Sequence, residues 1–243
     1  GDATLERFSP AFLIHNPGTE FNRPGSPVAS RDAEGNETIR MDVSRPAIFA
    51  EEKTFRTERG EYRNLVYRVH FPETPVNLFP FLLTSGDNVG LLVIVTLDGR
   101  GRPVLVSQTG TCGCYIAMVP TDATPKDALP EGWTGEPLEI FTERLTPLLA
   151  YGTTPDPRLL VEVRPGGHRV MDIRLLTDPP GSVSGGAVRW VDAPLRAMAE
   201  LKRLPLGDAT TSLYYGEGIL EGHVKGSWKP WETLLMSWFS LDF

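Results

Sequence analysis

The sequence predicts a β-rich α+β fold: antiparallel sheet built from meanders and hairpins, with two or three short helices packed on it. Three observations lead there. Turn formers are abundant, with 24 Gly and 22 Pro in 243 residues, which favours a turn-rich architecture over a helix bundle. Several short apolar segments alternate with period 2, as half-buried strands do. Only the C-terminal segment carries a sustained helical stripe.

Residues 1–46 read as an irregular arm, punctuated by Asn16-Pro17-Gly18, Arg23-Pro24-Gly25, Ser26-Pro27 and Glu34-Gly35-Asn36. Residues 47–243 then form one β-rich domain, with residues 177–187 its weakest join. Ala47–Phe55 is a strand. In Asn64–Phe71, Leu65, Tyr67, Val69 and Phe71 share one face and Asn64, Val66, Arg68 and His70 the other. Gly90–Leu97 is apolar on both faces and reads as a central strand. Pro103–Ser107 pairs back on it, and Thr111–Val119 makes a third strand of the meander.

Leu138–Leu149 reads as a short helix interrupted by Pro147. Arg158–Leu176 is a hairpin. A three-residue loop at Pro165-Gly166-Gly167 puts Leu159, Val161 and Val163 on one face with Met171, Ile173 and Leu175. The other face then carries Glu162, Arg164, His168, Asp172 and Arg174, solvated. Gly181–Gly186 is a linker, and Asp192 caps a helix near Pro194–Arg203. In the last helix, opened by Pro230, Trp231, Leu234, Leu235, Trp238 and Phe239 fall at helical spacing and form its core face.

Composition narrows the functional classes. Apolar content of 40% and charged content of 23% describe a globular chain rather than a disordered one. A net charge of −7 argues against nonspecific nucleic-acid binding, which needs a basic surface, though it leaves room for a local basic patch. The longest uncharged apolar run, Val89–Leu97, is too short to span a bilayer, so no transmembrane segment is expected. The chain starts Gly-Asp rather than Met, which points to a processed, exported bacterial protein, periplasmic or beyond; a cytoplasmic location is the alternative.

The only two cysteines, Cys112 and Cys114, flank Gly113. On a strand both sulfurs would face the same side, with α-carbons roughly 6.5–7 Å apart. They then share a metal, cycle between dithiol and disulfide, or pack as small apolar fillers. Two thiolates need further ligands to hold zinc or copper, and His70, at a strand end in the same sheet, is the nominated third.

Asp87 and Asn88, beside Ser85 before the central strand, have the groups of a ligand-binding loop. His223 and Lys225, in a Gly-rich segment before the last helix, suit an anion. His15 points to no particular role. No nucleophile elbow, phosphate loop, dinucleotide fingerprint or zinc-protease motif is present. Three function classes follow. The first is a domain that binds a small molecule or protein, with the cysteines as filler. The second is a thiol-dependent redox or metal site. The third is a hydrolase assembled from loop residues such as Asp87, His70 and His223.

Overall fold

The computed structural model describes residues 3–77, 82–140, 143–176, 188–235 and 241–243. Among them the chain is β-rich, with several mostly antiparallel sheets, two short α-helices and no barrel. No helix among the described residues is long and apolar enough to cross a membrane.

The larger sheet has six strands in the order Ala117–Pro120, Pro103–Gly110, Gly90–Leu97, Gly60–His70, Ile48–Thr57, Leu195–Ala197. Its central meander follows the alternation in the sequence. Leu65 stands opposite Val95, and Val95 opposite Val106, and all three are fully buried. The next row on that face, Tyr67, Val93 and Gln108, is also buried, so Gln108 is a polar side chain at an inward position. The second sheet has four strands in the order Val170–Leu176, Arg158–Val163, Ala11–His15, Val188–Val191. One apolar cluster joins the two sheets. It holds Phe12, Ile14, Val161 and Ile173 from the small sheet and Leu65, Tyr67, Val93 and Val95 from the large one. Burying each such side chain contributes roughly 1.5–3 kcal/mol. A second cluster, with Phe49, Leu201, Leu204, Leu213 and Val224, covers part of the other face of the large sheet.

Several sequence-based expectations are corrected. Residues 1–46 are not an irregular arm: Ala11–His15 lies inside the small sheet, and Ser26–Arg31 pairs with Glu37–Asp42. The short Ala-Phe-Leu-Ile run is buried between two strands that lie far off in sequence, at 158–163 and 188–191. Leu138–Leu149 is no helix. Leu138–Ile140 and Glu143–Leu145 form a ribbon, where Glu143 meets Arg164 at 2.7 Å and also Arg169. Near 194–203, Leu195–Ala197 is a strand and Met198–Lys202 a 3-10 helix. Asp192 caps neither; it pairs with Arg158 at 2.6 Å.

The 158–176 hairpin pairs Leu159 with Leu175 and Val161 with Ile173, as the pattern requires, and Gly166 has φ +76°. Arg164 N–H donates to the Arg169 carbonyl at 2.8 Å, so the loop has four residues, and a bulge sets Val163 opposite Val170. The extra loop residue, His168, takes φ +52° and leaves the charged outer face for the interior, where it is 6% exposed. The final helix, Pro230–Leu235, leaves Leu234 71% and Leu235 61% exposed and turns Glu232 inward. Trp238, Phe239 and the linker Gly181–Gly186 lie outside the described residues.

Candidate functional site

The two cysteines sit in a turn, not on the expected Thr111–Val119 strand. The Pro103–Gly110 strand ends at Gly110, and its partner begins only at Ala117. Local hydrogen bonds close the turn: Gly113 N–H donates to the Gly110 carbonyl at 2.8 Å, and Gly110 N–H to the Cys114 carbonyl at 2.9 Å. Gly113 takes φ +77°, a conformation that glycine adopts without steric cost. Tyr115 holds φ +57°, with its carbonyl accepting from Gln108 Nε2 at 2.6 Å. The turn folds the sulfurs toward each other. Cys114 N–H donates to Cys112 Sγ at 3.4 Å, and Cys114 Sγ lies 3.7 Å from Glu232 Oε1, so its single thiol proton has two acceptors in reach, Cys112 Sγ and Glu232. Cys112 Sγ, Cys114 Sγ and a Glu232 carboxylate oxygen all lie within 4.8 Å of one another. Both cysteines are half-buried, so neither is sealed in the core.

A buried ion pair backs the turn. Lys229 Nζ lies 3.0 Å from Asp242 Oδ1, with the two side chains 2% and 1% exposed. Lys229 also donates to the Thr84 carbonyl at 3.1 Å. Asp242 Oδ2 accepts from Thr111 Oγ1 at 2.6 Å and Gly90 N–H at 3.1 Å. Gly90 is required by space, since a Cβ there would lie 2.7 Å from Thr111 Cγ2. The described C-terminal residues are stitched to both sides: Phe243 N–H donates to the Thr111 carbonyl at 2.9 Å, and Val224 N–H to the Asp242 carbonyl at 2.7 Å.

The two sulfurs have opposite electrostatics. The hydrogen bond from the Cys114 thiol lowers the Cys112 pKa; burial opposes this, and the Lys229 ammonium adds to the lowering. The same hydrogen bond to Cys112 raises the Cys114 pKa, reinforced by burial and by the negative charges of Cys112 and Glu232. Of the two sulfurs, Cys112 is the one whose thiolate form is favoured. Burial works against the Lys229 charge, but Asp242 and Cys112 outweigh it and raise the Lys229 pKa.

His70 does not join this group. It is fully buried on the Gly60–His70 strand, and its Nε2 accepts from Arg68 Nε at 3.0 Å. An arginine can only donate, so the neutral ring carries its proton on Nδ1. Burial, then the Arg68 charge, push its pKa well below the usual histidine value. The cation beside the thiols is Lys229, not a histidine.

Asp87, Asn88 and Lys225 do come together, in an open cleft of about 710 Å³ that also includes Glu37 and Tyr215. Most of their polar atoms are occupied. Asn88 Nδ2 donates to the carbonyls of Ile39 and Lys225, each at 3.0 Å, and Lys225 Nζ meets Glu37 at 2.6 Å. Partial burial raises the Asp87 pKa. His223 points elsewhere: its Nδ1 donates to the Leu220 carbonyl at 3.1 Å and its ring lies 4.4 Å from that of Phe243. Ser85 is fully buried, donating its hydroxyl to the carbonyls of Pro75 and Leu82. His15 pairs with Glu162 at 2.6 Å. No hydrogen bond among the described residues joins any two of Asp87, His70 and His223.

Sequence reasoning found the cysteines but missed Lys229, Glu232 and Asp242. A signal existed: Lys229 and Glu232 are three apart at the start of an apolar helix, a spacing that puts two charges on one side. The chain matches no protein-family model, and no curated protein or solved structure is significantly similar to it.

Proposed function

We propose that the chain carries a redox-active dithiol, with Cys112 as the attacking thiolate and Cys114 as the thiol that completes a disulfide. The observation behind this reading is the asymmetry of the pair. Cys112 receives hydrogen bonds from Cys114 and lies in the field of Lys229, whereas Cys114 faces a thiolate and a carboxylate. A thiol exchange centre needs that division between nucleophile and protonated partner. Gly113 at positive φ gives the backbone the bend that a straight strand denies an i,i+2 pair.

The test is alkylation of the reduced protein with iodoacetamide across pH, read at each cysteine by mass spectrometry. Cys112 should react first, with a midpoint below that of an ordinary thiol, and Cys114 should lag. Equal rates with ordinary midpoints at both would overturn the reading.

A metal-binding role has its own support, because Glu232 supplies a third ligand atom to the two sulfurs. Zinc accepts such a set with a fourth, open position, and thiolates also suit copper(I). Equimolar zinc that protects both cysteines from alkylation in the parent but not in Glu232→Gln would favour it. A ligand- or partner-binding role for the Asp87–Lys225 cleft has less support, since the amide of Asn88 and the ammonium of Lys225 already bond within the protein. The hydrolase reading needs Asp87, His70 and His223 to meet, and their hydrogen bonds run to other groups.

A further inference from the structure

Behind Cys112 lies a small, partly open cavity of about 20 Å³, lined in part by Thr84, Gln108, His168, Arg169, Lys229 and Cys112 itself. A single water needs roughly 10–15 Å³ on this measure, so the space suits a molecule of water's size or slightly larger. Two uncharged buried atoms of its lining residues, Thr84 Oγ1 and Gln108 Oε1, have no hydrogen-bond partner, and a third lining atom, Asp242 Oδ1, meets only the Lys229 ammonium. Thr84 and Gln108 are 7% and 3% exposed. Leaving such groups unsatisfied is costly, and native interiors seldom do so without a bound partner. Gln108 cannot turn its amide around freely, because its Nε2 is already given to the Tyr115 carbonyl.

Other groups on the wall are already engaged. His168 Nε2 donates to the Phe21 carbonyl at 2.8 Å and its Nδ1 accepts from Thr74 at 3.1 Å, so the ring is neutral and fixed. Asp242 is held by Lys229, Thr111 and Gly90. A small uncharged occupant that donates a hydrogen bond to Gln108 Oε1 and engages the Thr84 hydroxyl fits these two atoms.

We propose that the cavity admits hydrogen peroxide and that Cys112 reduces it; this rests on the redox reading above and names its substrate class. One peroxide O–H donates to Gln108 Oε1, and the Thr84 hydroxyl donates to a peroxide oxygen. The Cys112 thiolate attacks the nearer oxygen. The S–O bond forms as the O–O bond breaks, and the electron pair leaves on the farther oxygen as hydroxide. The Lys229 ammonium stabilises that developing charge, and a solvent proton converts it to water. Cys114 then attacks Cys112 Sγ, the S–S bond forms and the S–O bond breaks. The departing hydroxide takes the Cys114 proton as a second water. The balance is two thiols and one peroxide giving one disulfide and two waters. A cavity of this size favours hydrogen peroxide over a larger organic hydroperoxide.

The experiment mixes the reduced full chain separately with hydrogen peroxide, tert-butyl hydroperoxide and a bulky aromatic disulfide. Thiol loss and the loss of two hydrogens by mass are followed in time. Hydrogen peroxide should oxidise the pair on the order of 100-fold faster than it oxidises free cysteine, the scale of one well-placed donor to a developing oxyanion. It should also outpace tert-butyl hydroperoxide by a similar factor, and Thr84→Val should remove most of the advantage. Equal rates for the two peroxides, or a hydrogen peroxide rate no greater than that of free cysteine, would overturn the proposal. If the aromatic disulfide still converts the pair to a disulfide in that case, the redox reading stands and only the peroxide site falls. Inert thiols toward all three reagents would end both.

Discussion

Two lysines four residues apart, Lys225 and Lys229, each pair with a carboxylate, and the contrast between them separates a surface contact from a site. Lys225 and Glu37 are 24% and 27% exposed, and the ammonium also donates to Thr211. Water screens such a pair, and its charge does little beyond its own contact. Lys229 and Asp242 are 2% and 1% exposed. Removing both charges from water costs several kcal/mol per ion, and mutual attraction recovers this only with good geometry. Apolar residues of similar volume would fill the space at no such cost. What the buried pair adds is a field: Lys229 lowers the pKa of Cys112 and of His168, two groups on the wall of one cavity. Burial turns the same chemistry from a clasp into an electrostatic device.

The comparison breaks most visibly at Lys229. Lys229→Ala leaves Asp242 buried without its counter-charge, and should cost about 3–5 kcal/mol in urea denaturation. Joining Lys229→Met to Asp242→Leu removes both charges and should recover much of the loss. In the double variant Cys112 loses the Lys229 cation and also the smaller opposing charge of Asp242, so its alkylation midpoint should rise, but by less than in Lys229→Ala. A Lys229→Ala cost no larger than that of a surface pair would show that the ammonium is solvated and the contrast unfounded.

Acid sharpens the same contrast through His168. Burial pushes its pKa down to about 4; the bond to the Phe21 carbonyl opposes this and the Lys229 charge adds to it. The unfolded chain takes up the proton near the ordinary histidine value of about 6.5. Between these values the unfolded state binds more protons, so stability rises with pH. The contribution is fully present above pH ~6.5 and is lost as pH falls toward about 4, some ~3 kcal/mol in all. His70, depressed by burial and Arg68, acts with the same sign. Histidine ring proton shifts should show His168 titrating near 4 and moving upward when Lys229 is neutralised. A midpoint near 6.5 would place the ring in solvent.

These particulars also show how far the sequence was legible. The alternation in 60–97 identified the central strands because period-2 burial is written locally in Leu65, Tyr67, Val69 and in Leu91, Val93, Val95. Ala11–His15 hid among turn signals because its partners are 158–163 and 188–191, and long-range pairing leaves no local pattern. Cys112 and Cys114 were visible by type, but the turn was not. It depends on Gly110 accepting from Gly113, a contact that overrides the strand propensity of the flanking residues. His168 read as solvated because a four-residue loop and a three-residue loop share the same Pro-Gly-Gly sequence, and one residue reverses the facing. The site charges were the least legible, since Lys229, Glu232 and Asp242 meet the cysteines across more than a hundred positions. One further mark went unread: after Val104 and Val106, Gln108 occupies an inward position, where an apolar residue would continue the pattern.

The smallest effect belongs to Lys225. Its ammonium is shared between Glu37 and Thr211 at the edge of an open cleft, where solvent can take over either bond. Glu37 has its pKa lowered against the opposing pull of burial, by bonds from Lys225 and Thr211 and by the charges of Lys225 and Arg31. Two cations and a hydroxyl thus act on one carboxylate, and losing one of them leaves the others in place. Lys225→Ala should therefore cost less than about 1 kcal/mol in urea denaturation, the range of exposed ion pairs. It should also leave the Cys112 alkylation midpoint and the His168 titration where they were, since Lys225 figures in neither shift. A loss comparable to that of Lys229→Ala, or a moved thiol midpoint, would mean that the two lysines belong to one electrostatic unit and that burial is not what distinguishes them.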